Sequence, residues 1–333
     1  MPEGKRPSIA VLATGGTIAG VRVQDDAHAY RAGALSVEHL LAAVPGLDRL
    51  AHIRAEQLAN VGSQDMSFAI WAALARRIDA LCQDPDIDGI VITHGTDTVE
   101  ETAYFLSLVI RHDKPVVLTG AMRPATALGA DGPANVLYAV ALAASDSARA
   151  RGPLVVMNED IHYAREVQKV ACNGIDAFAS PNRGRAGVMR GERAVFYSRN
   201  EPRHTVNSAF SVDLLDRAWP RVDILFATVD LNHDVVDYLS ARARAIVLSG
   251  VGDGNGSQAV LQALHRAVQR GVIVARASRC GSGHVARNVE VDDEAMGFIA
   301  VGDLSPQKAR ILLMLGLMKT SDPVELQTLF DEY

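Results

Sequence analysis

The stretch SIAVLATGGTIAG, residues 8–20, decides the fold class. An apolar run over 8–13 stops abruptly at Thr14-Gly15-Gly16-Thr17. A run without polar alternation fits a strand covered on both faces. Similar runs recur at 89–93, 115–118, 154–157, 223–227, 245–248 and 272–277, with longer helical patterns between them. Short β-rich runs alternating with helices mark βαβ units around a parallel sheet. The expected class is α/β, with a larger N-terminal parallel-sheet domain and a smaller C-terminal α/β domain.

The helices announce their ends. Thr98 and Glu101 form a T-x-x-E capping box ahead of a helix over 99–111. Ser305 and Pro306 read as N-cap and first turn of a helix running to 318. Asp322 and Glu325 open the last helix, and Gly271 closes the one over 257–270. Residues 66–82 carry apolar side chains at helical spacing. The polar, turn-rich stretch YSRNEPRHTVNSAFSVD, 197–213, interrupts the alternation. The domain boundaries expected are 1–197, a linker over 198–219, and 220–333.

The 333 residues fit two domains at about 150 residues each. A net charge of -6 without a basic stripe argues against a nucleic-acid surface. No stretch approaches the length of a membrane span. Cys82, Cys172 and Cys280 are odd in number and lack CxxC or metal-ligand spacing, so free thiols are expected. The apolar run near the N-terminus is too short for an export signal and leads into a glycine turn. The chain reads as cytoplasmic, with a periplasmic location open if a signal was trimmed. A small molecule is the expected partner.

The chemistry sits where strands end. In open α/β sheets, ligands bind beyond the carboxyl ends of the strands. Three such ends carry Thr14–Gly20, then His94-Gly95-Thr96-Asp97-Thr98, then Gly120-Ala121-Met122-Arg123-Pro124. Gly15 and Gly16 permit a sharp turn and a close approach to a ligand. Thr17 and Thr96 offer hydroxyls, which are weak nucleophiles until a neighbour activates them. Amides ahead of the following helix can stabilise an oxyanion. Each feature also has a plainer reading. The TGGT turn could cradle phosphate or merely connect strand to helix, although G-x-G-x-x-G and Walker patterns are absent. His94 reads as a hydrogen-bonded structural residue, and Lys169 as a solvated charge. The glycine-rich 250–256 reads as a flexible turn.

TGGTIAG at 14–20 and HGTDTVEETAYFL at 94–106 closely resemble the two signature motifs of the bacterial L-asparaginase family. GSQDM at 62–66, DKPVVLTGAMRP at 113–124, ADGPAN at 130–135, LVVMNED at 154–160 and SPQKAR at 305–310 support the resemblance in order and spacing. It covers nearly the whole chain and is closest to the type II branch. It implies a flavodoxin-like N-terminal domain and hydrolysis of asparagine to aspartate and ammonia, with no cofactor and no metal. Thr17 would be the nucleophile. Tyr30, in the lid over 21–33, would help activate it. Thr96, Asp97 and Lys169 would form the second catalytic group. Ser63, Gln64 and Asp97, with Thr96 and Ala121, would hold the substrate.

Asn255 and Glu290 match positions that reach the site from a neighbouring subunit. They imply a homo-oligomer, in this family usually a tetramer built as a dimer of dimers. Two departures stand out: Asp253 lies where asparagine is common, and His112 where some exported relatives carry a cysteine that bonds one near Cys82. The rival readings are a dual glutaminase-asparaginase, a tRNA-linked amidotransferase subunit and a non-catalytic amino-acid-binding protein. The last would not require both threonines with Asp97 and Lys169.

Overall fold

The structure is a computed structural model. It describes residues 6–22, 30–31 and 36–333, and only the backbone of residues 21, 22, 30 and 31. The chain divides into two units, Met1–Val212 and Asp213–Tyr333.

The first unit is built on one sheet of eight strands: β1 (Ser8–Gly15), β2 (His52–Val61), β3 (Gly89–Thr93), β4 (Val116–Thr119), β5 (Leu154–Met157), β6 (Asp160–Tyr163), β7 (Gly187–Arg190) and β8 (Arg193–Phe196). Their spatial order is β8-β7-β6-β5-β4-β3-β1-β2. The five strands β2-β1-β3-β4-β5 are parallel, and β6, β7 and β8 extend the sheet antiparallel. The parallel part is the doubly wound order 2-1-3-4-5. Every residue of β3 and β4 is buried, as expected for strands covered on both faces. Val91 and Val117 join the cluster beneath the helix Gly132–Ala143. Ile90 and Ile92 alternate to the other face, where the helices Phe68–Gln83 and Val99–Val109 lie against the sheet.

The second unit carries four parallel strands in sequence order: β9 (Val222–Phe226), β10 (Ala245–Gly250), β11 (Ile273–Ser278) and β12 (Phe298–Ala300). The strongly amphipathic helix Gln258–Gln269 buries Val260, Leu261, Ala263, Leu264 and Ala267 against the core of that unit. Gly271, at φ +87°, ends its last turn. Among the described residues no helix is long and apolar enough to cross a membrane.

Local expectations held unevenly. All seven expected strands form, but β2, β6, β7, β8 and β12 have no counterpart in the sequence reading. β2 was invisible because an edge strand needs no apolar run, and HIRAEQLANV has no fully buried position. The Thr98 half of the capping box does not form. Thr98 makes no cap bond, and its Oγ1 donates instead to Ser63 O at 2.8 Å. Ser305 sits at its N-cap position without a side-chain cap bond, whereas Asp322 Oδ1 accepts from Val324 N at 2.9 Å. Within the stretch expected as linker, Phe210 is fully buried and Ser208 Oγ donates to Leu108 O, so that part packs into the first unit.

One buried side chain ties the loops beyond β4 and β5. Asn135 Nδ2 donates to Gly120 O at 3.0 Å and Asp131 Oδ2 at 3.1 Å, and its Oδ1 accepts from Asn158 N at 3.0 Å. Asp131 in turn accepts from the amides of Met122 and Arg123, both at 2.9 Å. Asn135→Ala leaves a buried carbonyl and a partly buried amide unpaired, which costs about 2–3 kcal/mol. The expected outcome is a lower urea midpoint at unchanged m-value, and an unchanged midpoint would contradict the assignment.

Candidate active site

The strand order reverses between β1 and β3: β1 leads to β2 on one side, and β3 leads to β4 on the other. The crevice at such a reversal, beyond the carboxyl ends, is where doubly wound folds bind ligands. Both motif-bearing loops emerge there, one from each strand.

Glycine brings them into contact. Gly15 (φ +105°) and Gly16 (φ +85°) adopt conformations that L side chains rarely occupy. A Cβ on Gly15 would lie 2.5 Å from Val61 O, and one on Gly16 only 2.4 Å from both Gly95 Cα and Gly95 N. The residues just before Thr17 and Thr96 therefore touch through their backbones. Thr14 Oγ1 adds a bond to Thr93 O at 3.0 Å, and Thr17 itself is nine-tenths buried in a short 3-10 turn, Thr17–Ala19.

A third loop closes the arrangement. Ser63, buried, stands against Gly95, and its Oγ accepts from Asp97 N at 3.1 Å. With Thr98 Oγ1 bonded to Ser63 O, the loop after β2 is tied to the loop after β3 from both ends of one residue. Gln64 is exposed, and its Nε2 donates to Asp65 Oδ2 at 3.2 Å. Ala121 is buried, its side chain beside Gly132.

Lys169 arrives from a separate hairpin, in which Gln168–Lys169 pairs with Phe178–Ala179. Its Nζ donates to Thr96 Oγ1 at 2.9 Å and to Asp97 Oδ1 at 2.5 Å. The plain reading of Lys169 as a solvated charge is therefore wrong. Asp97 is 60% exposed, and an ion pair this open contributes at most about 1 kcal/mol of stability. Its consequence is geometric: it aims an ammonium at a threonine hydroxyl. Sequence reasoning missed Glu100, whose buried carboxylate accepts from the Lys169 amide at 2.6 Å and so anchors the hairpin. In the sequence it is one of two glutamates in a first helical turn, where acidic residues are commonplace.

His94 is held beneath this cluster. Trp71 Nε1 can only donate, so Thr102 Oγ1 accepts from it at 2.9 Å and gives its own proton to His94 Nε2 at 2.9 Å. His94 Nδ1 then carries the ring proton and donates to Gly95 O at 2.7 Å. Both nitrogens are used, so His94 is a neutral fixture rather than a free base. Burial pushes its pKa down to about 4, opposed by the bond to Gly95 O.

The remaining expected residues are Tyr30, Asn255 and Glu290. The Tyr30 side chain falls outside the described residues. Asn255 and Glu290 belong to the second unit, where Asn255 Nδ2 donates to Glu290 Oε2 at 3.0 Å. The expected flexible turn 250–256 is instead pinned by a backbone bridge between Val251 and Asn255.

A doubly wound sheet with threonine hydroxyls, a lysine and a carboxylate at its switch point, and a smaller α/β unit behind it in the chain, fit the amidohydrolase class that the matches to known proteins show. Residues 8–202 match the family described as Asparaginase, N-terminal, and residues 221–330 match the Glutaminase/Asparaginase C-terminal domain. The chain belongs to the asparaginase family.

It is 44% identical to the probable periplasmic L-asparaginase of Haemophilus influenzae, over 98% of this chain and 93% of that one. It is 42% identical to L-asparaginase 2 of Escherichia coli, over 98% and 93%. It is 40% identical to the glutaminase-asparaginase of Pseudomonas fluorescens, over 99% and 91%. The crystal structure of a probable cytoplasmic L-asparaginase from Campylobacter jejuni superposes with a TM-score of 0.94 at 44% identity, covering 98% of this chain and all of the other.

The neutral His94 makes stability depend on pH. Its folded pKa lies below its unfolded value, so the unfolded chain binds the extra proton between pH 6.5 and 4. This stabilisation is complete above pH 6.5 and falls away as pH drops toward 4, by about 3 kcal/mol in all. In His94→Gln, the difference between unfolding free energies at pH 7 and pH 4.5 should shrink relative to the parent. An identical difference in the two proteins would show that His94 is not held neutral.

Proposed function

We propose that this chain is an L-asparaginase that works through Thr17 and an acyl-enzyme. Thr17 Oγ1 attacks the side-chain carboxamide carbon of asparagine. The carbon–nitrogen bond breaks, and the departing nitrogen leaves as ammonia with the proton shed by the threonine. Water then adds to the ester, which releases aspartate and restores the Thr17 hydroxyl. Among the described residues, His94 N–H is committed to Thr119 O and Asp97 N–H to Ser63 Oγ. The oxyanion is therefore assigned to the amides of Gly95 and Thr96.

The observation that carries this reading is the Lys169 bridge between Thr96 and Asp97, beside a loop whose Gly16 touches Gly95. Thr96 Oγ1 accepts from Lys169 Nζ, which leaves its own O–H free to hydrogen-bond the leaving nitrogen or, in the second step, the attacking water. Ser63 Oγ accepts from Asp97 N, which leaves its proton for the substrate α-carboxylate. Asp97, more exposed than the rest, takes the α-ammonium, with Glu290 of a neighbouring copy beside it. These remote contacts hold the amide in attack geometry, which is how a weak hydroxyl nucleophile becomes effective. The assembly is accordingly a homo-oligomer, read as a tetramer.

Relatives of both names, L-asparaginase and glutaminase-asparaginase, resemble this chain at similar identity. One methylene separates the two substrates, worth only about 1–3 kcal/mol to a pocket. The ratio of kcat/KM for the two amino acids therefore decides between a selective and a dual enzyme. We assign the chain to the cytoplasm. His112, where some exported relatives carry a cysteine, bonds Asp79 Oδ1 at 3.0 Å, and Cys82 is a buried free thiol pushed up to about 12 by burial.

Thr17→Ala and Thr96→Val should each lower ammonia release from asparagine by at least about a thousandfold, the scale for losing a nucleophile or its activator. Aspartate should still bind. A coupled ammonia assay with asparagine, glutamine and D-asparagine measures this. Tight binding without ammonia from the parent protein would favour the amino-acid-binding reading instead.

A further inference from the structure

β11 reads IVARAS, and its arginine is a charge in the middle of an otherwise small and apolar strand. Arg276 is fully buried, with zero exposure. A guanidinium has five N–H donors, and all five are used. Nε donates to Asp293 Oδ1 at 2.5 Å and Nη2 to Asp293 Oδ2 at 2.7 Å, a bidentate fork. Nη1 donates to Asp253 O at 2.8 Å and Gly254 O at 3.4 Å, and Nη2 also to Ala286 O at 3.1 Å. The carbonyls come from the two loops that carry Asn255 and Glu290.

Further bonds stitch the same loops. Asp253 Oδ1 accepts from Ala286 N at 2.8 Å, and Asp293 Oδ2 accepts from Asn288 N at 2.9 Å. Asn288 sits in the left-handed region at φ +56°, two residues before Glu290. Gly256 N donates to Asn255 Oδ1 at 2.8 Å, which turns the Asn255 amide toward Glu290. Glu290 itself is exposed, and an exposed pair with Asn255 has little energy with which to hold its own geometry.

Stability alone does not explain the buried pair. Apolar replacements of buried ion pairs are often neutral or stabilising, whereas a bidentate pair does impose one arrangement on its surroundings. We propose that Arg276, with Asp293 and Asp253, is a positioning device that sets the Glu290 carboxylate where a substrate's α-ammonium is read. This rests on the proposed role of Glu290. It adds that Asp253, where relatives commonly carry asparagine, acts here through its side-chain acceptor, so that asparagine can replace it and alanine cannot.

The test compares two competitive inhibitors of asparagine hydrolysis by the full-length protein. L-Aspartate carries the α-ammonium, and succinate lacks it. Asp253→Ala should weaken aspartate about tenfold, the scale of one charge-assisted contact. It should weaken succinate less than about twofold and leave kcat nearly unchanged. Asp253→Asn, which keeps the acceptor, should restore aspartate to the parent value. Arg276→Lys, which cannot reproduce the fork, should show the same selectivity at larger size if it folds.

Glu290→Gln separates the two ideas. If it weakens aspartate selectively while Asp253→Ala weakens both inhibitors equally or neither, the positioning role is wrong and the ammonium contact stands. If Glu290→Gln shows no selectivity, the ammonium contact is wrong and the positioning role falls with it.

Discussion

The approach of Gly16 to Gly95 is the constraint on which the site depends. Two parallel strands can carry reactive side chains at their carboxyl ends, but side chains on both turns would hold the loops apart. With no Cβ at residue 16, the backbone after β1 settles onto the backbone after β3. Ser63 then has a surface to pack on, and its hydroxyl and carbonyl are both taken up by the second loop. The order 2-1-3-4-5 puts this contact at the topological switch point. Fold and site meet at this close approach of two main chains, which the bonds of Thr14, Ser63 and Thr98 reinforce.

Around that contact, charge is distributed by depth. His94, enclosed between Thr102 and Gly95, stays neutral because its burial is complete and both ring nitrogens are occupied. Lys169 and Asp97 sit higher, partly in water, where ionised groups cost little to keep. Glu100, although buried, is bonded to a backbone amide and serves the hairpin that delivers Lys169. Of the ionisable groups here, the deepest, His94 and Glu100, hold the framework, and Asp97 is the exposed one. The second unit repeats this division: a buried Arg276–Asp293 pair lies below, and an exposed Glu290 with its Asn255 partner lies above.

The sequence carried the main βαβ alternation well, because strands covered on both faces leave unbroken apolar runs such as 89–93. Edge and antiparallel strands were lost, since β2 and β8 are half-exposed and their residues alternate without a distinctive composition. Thr98 shows how a correct local pattern misleads. T-x-x-E fits a capping box, but a tertiary acceptor, Ser63 O, took the hydroxyl instead. Asn135 lay inside a quoted motif, yet nothing in ADGPAN said that one amide would bind Gly120, Asp131 and Asn158 together.

By itself, the sequence determined the α/β class, the loops that carry hydroxyls and carboxylates, and the family. These follow from local patterning and from motifs contiguous in the chain. Only the tertiary structure decided between the two readings of Lys169, as a surface charge or as the partner of Asp97 and Thr96 that the resemblance implied, fixed the neutral tautomer of the structural His94, and showed that Arg276 joins two loops. The Lys169 contact reaches 72 residues to Asp97 and the Arg276 contacts reach 10 to 23, while His94 depends on its enclosure as well as on its near neighbours Gly95 and Thr102. A side chain's burial, protonation and direction are set by what folding brings beside it, and no one-dimensional pattern encodes that neighbour.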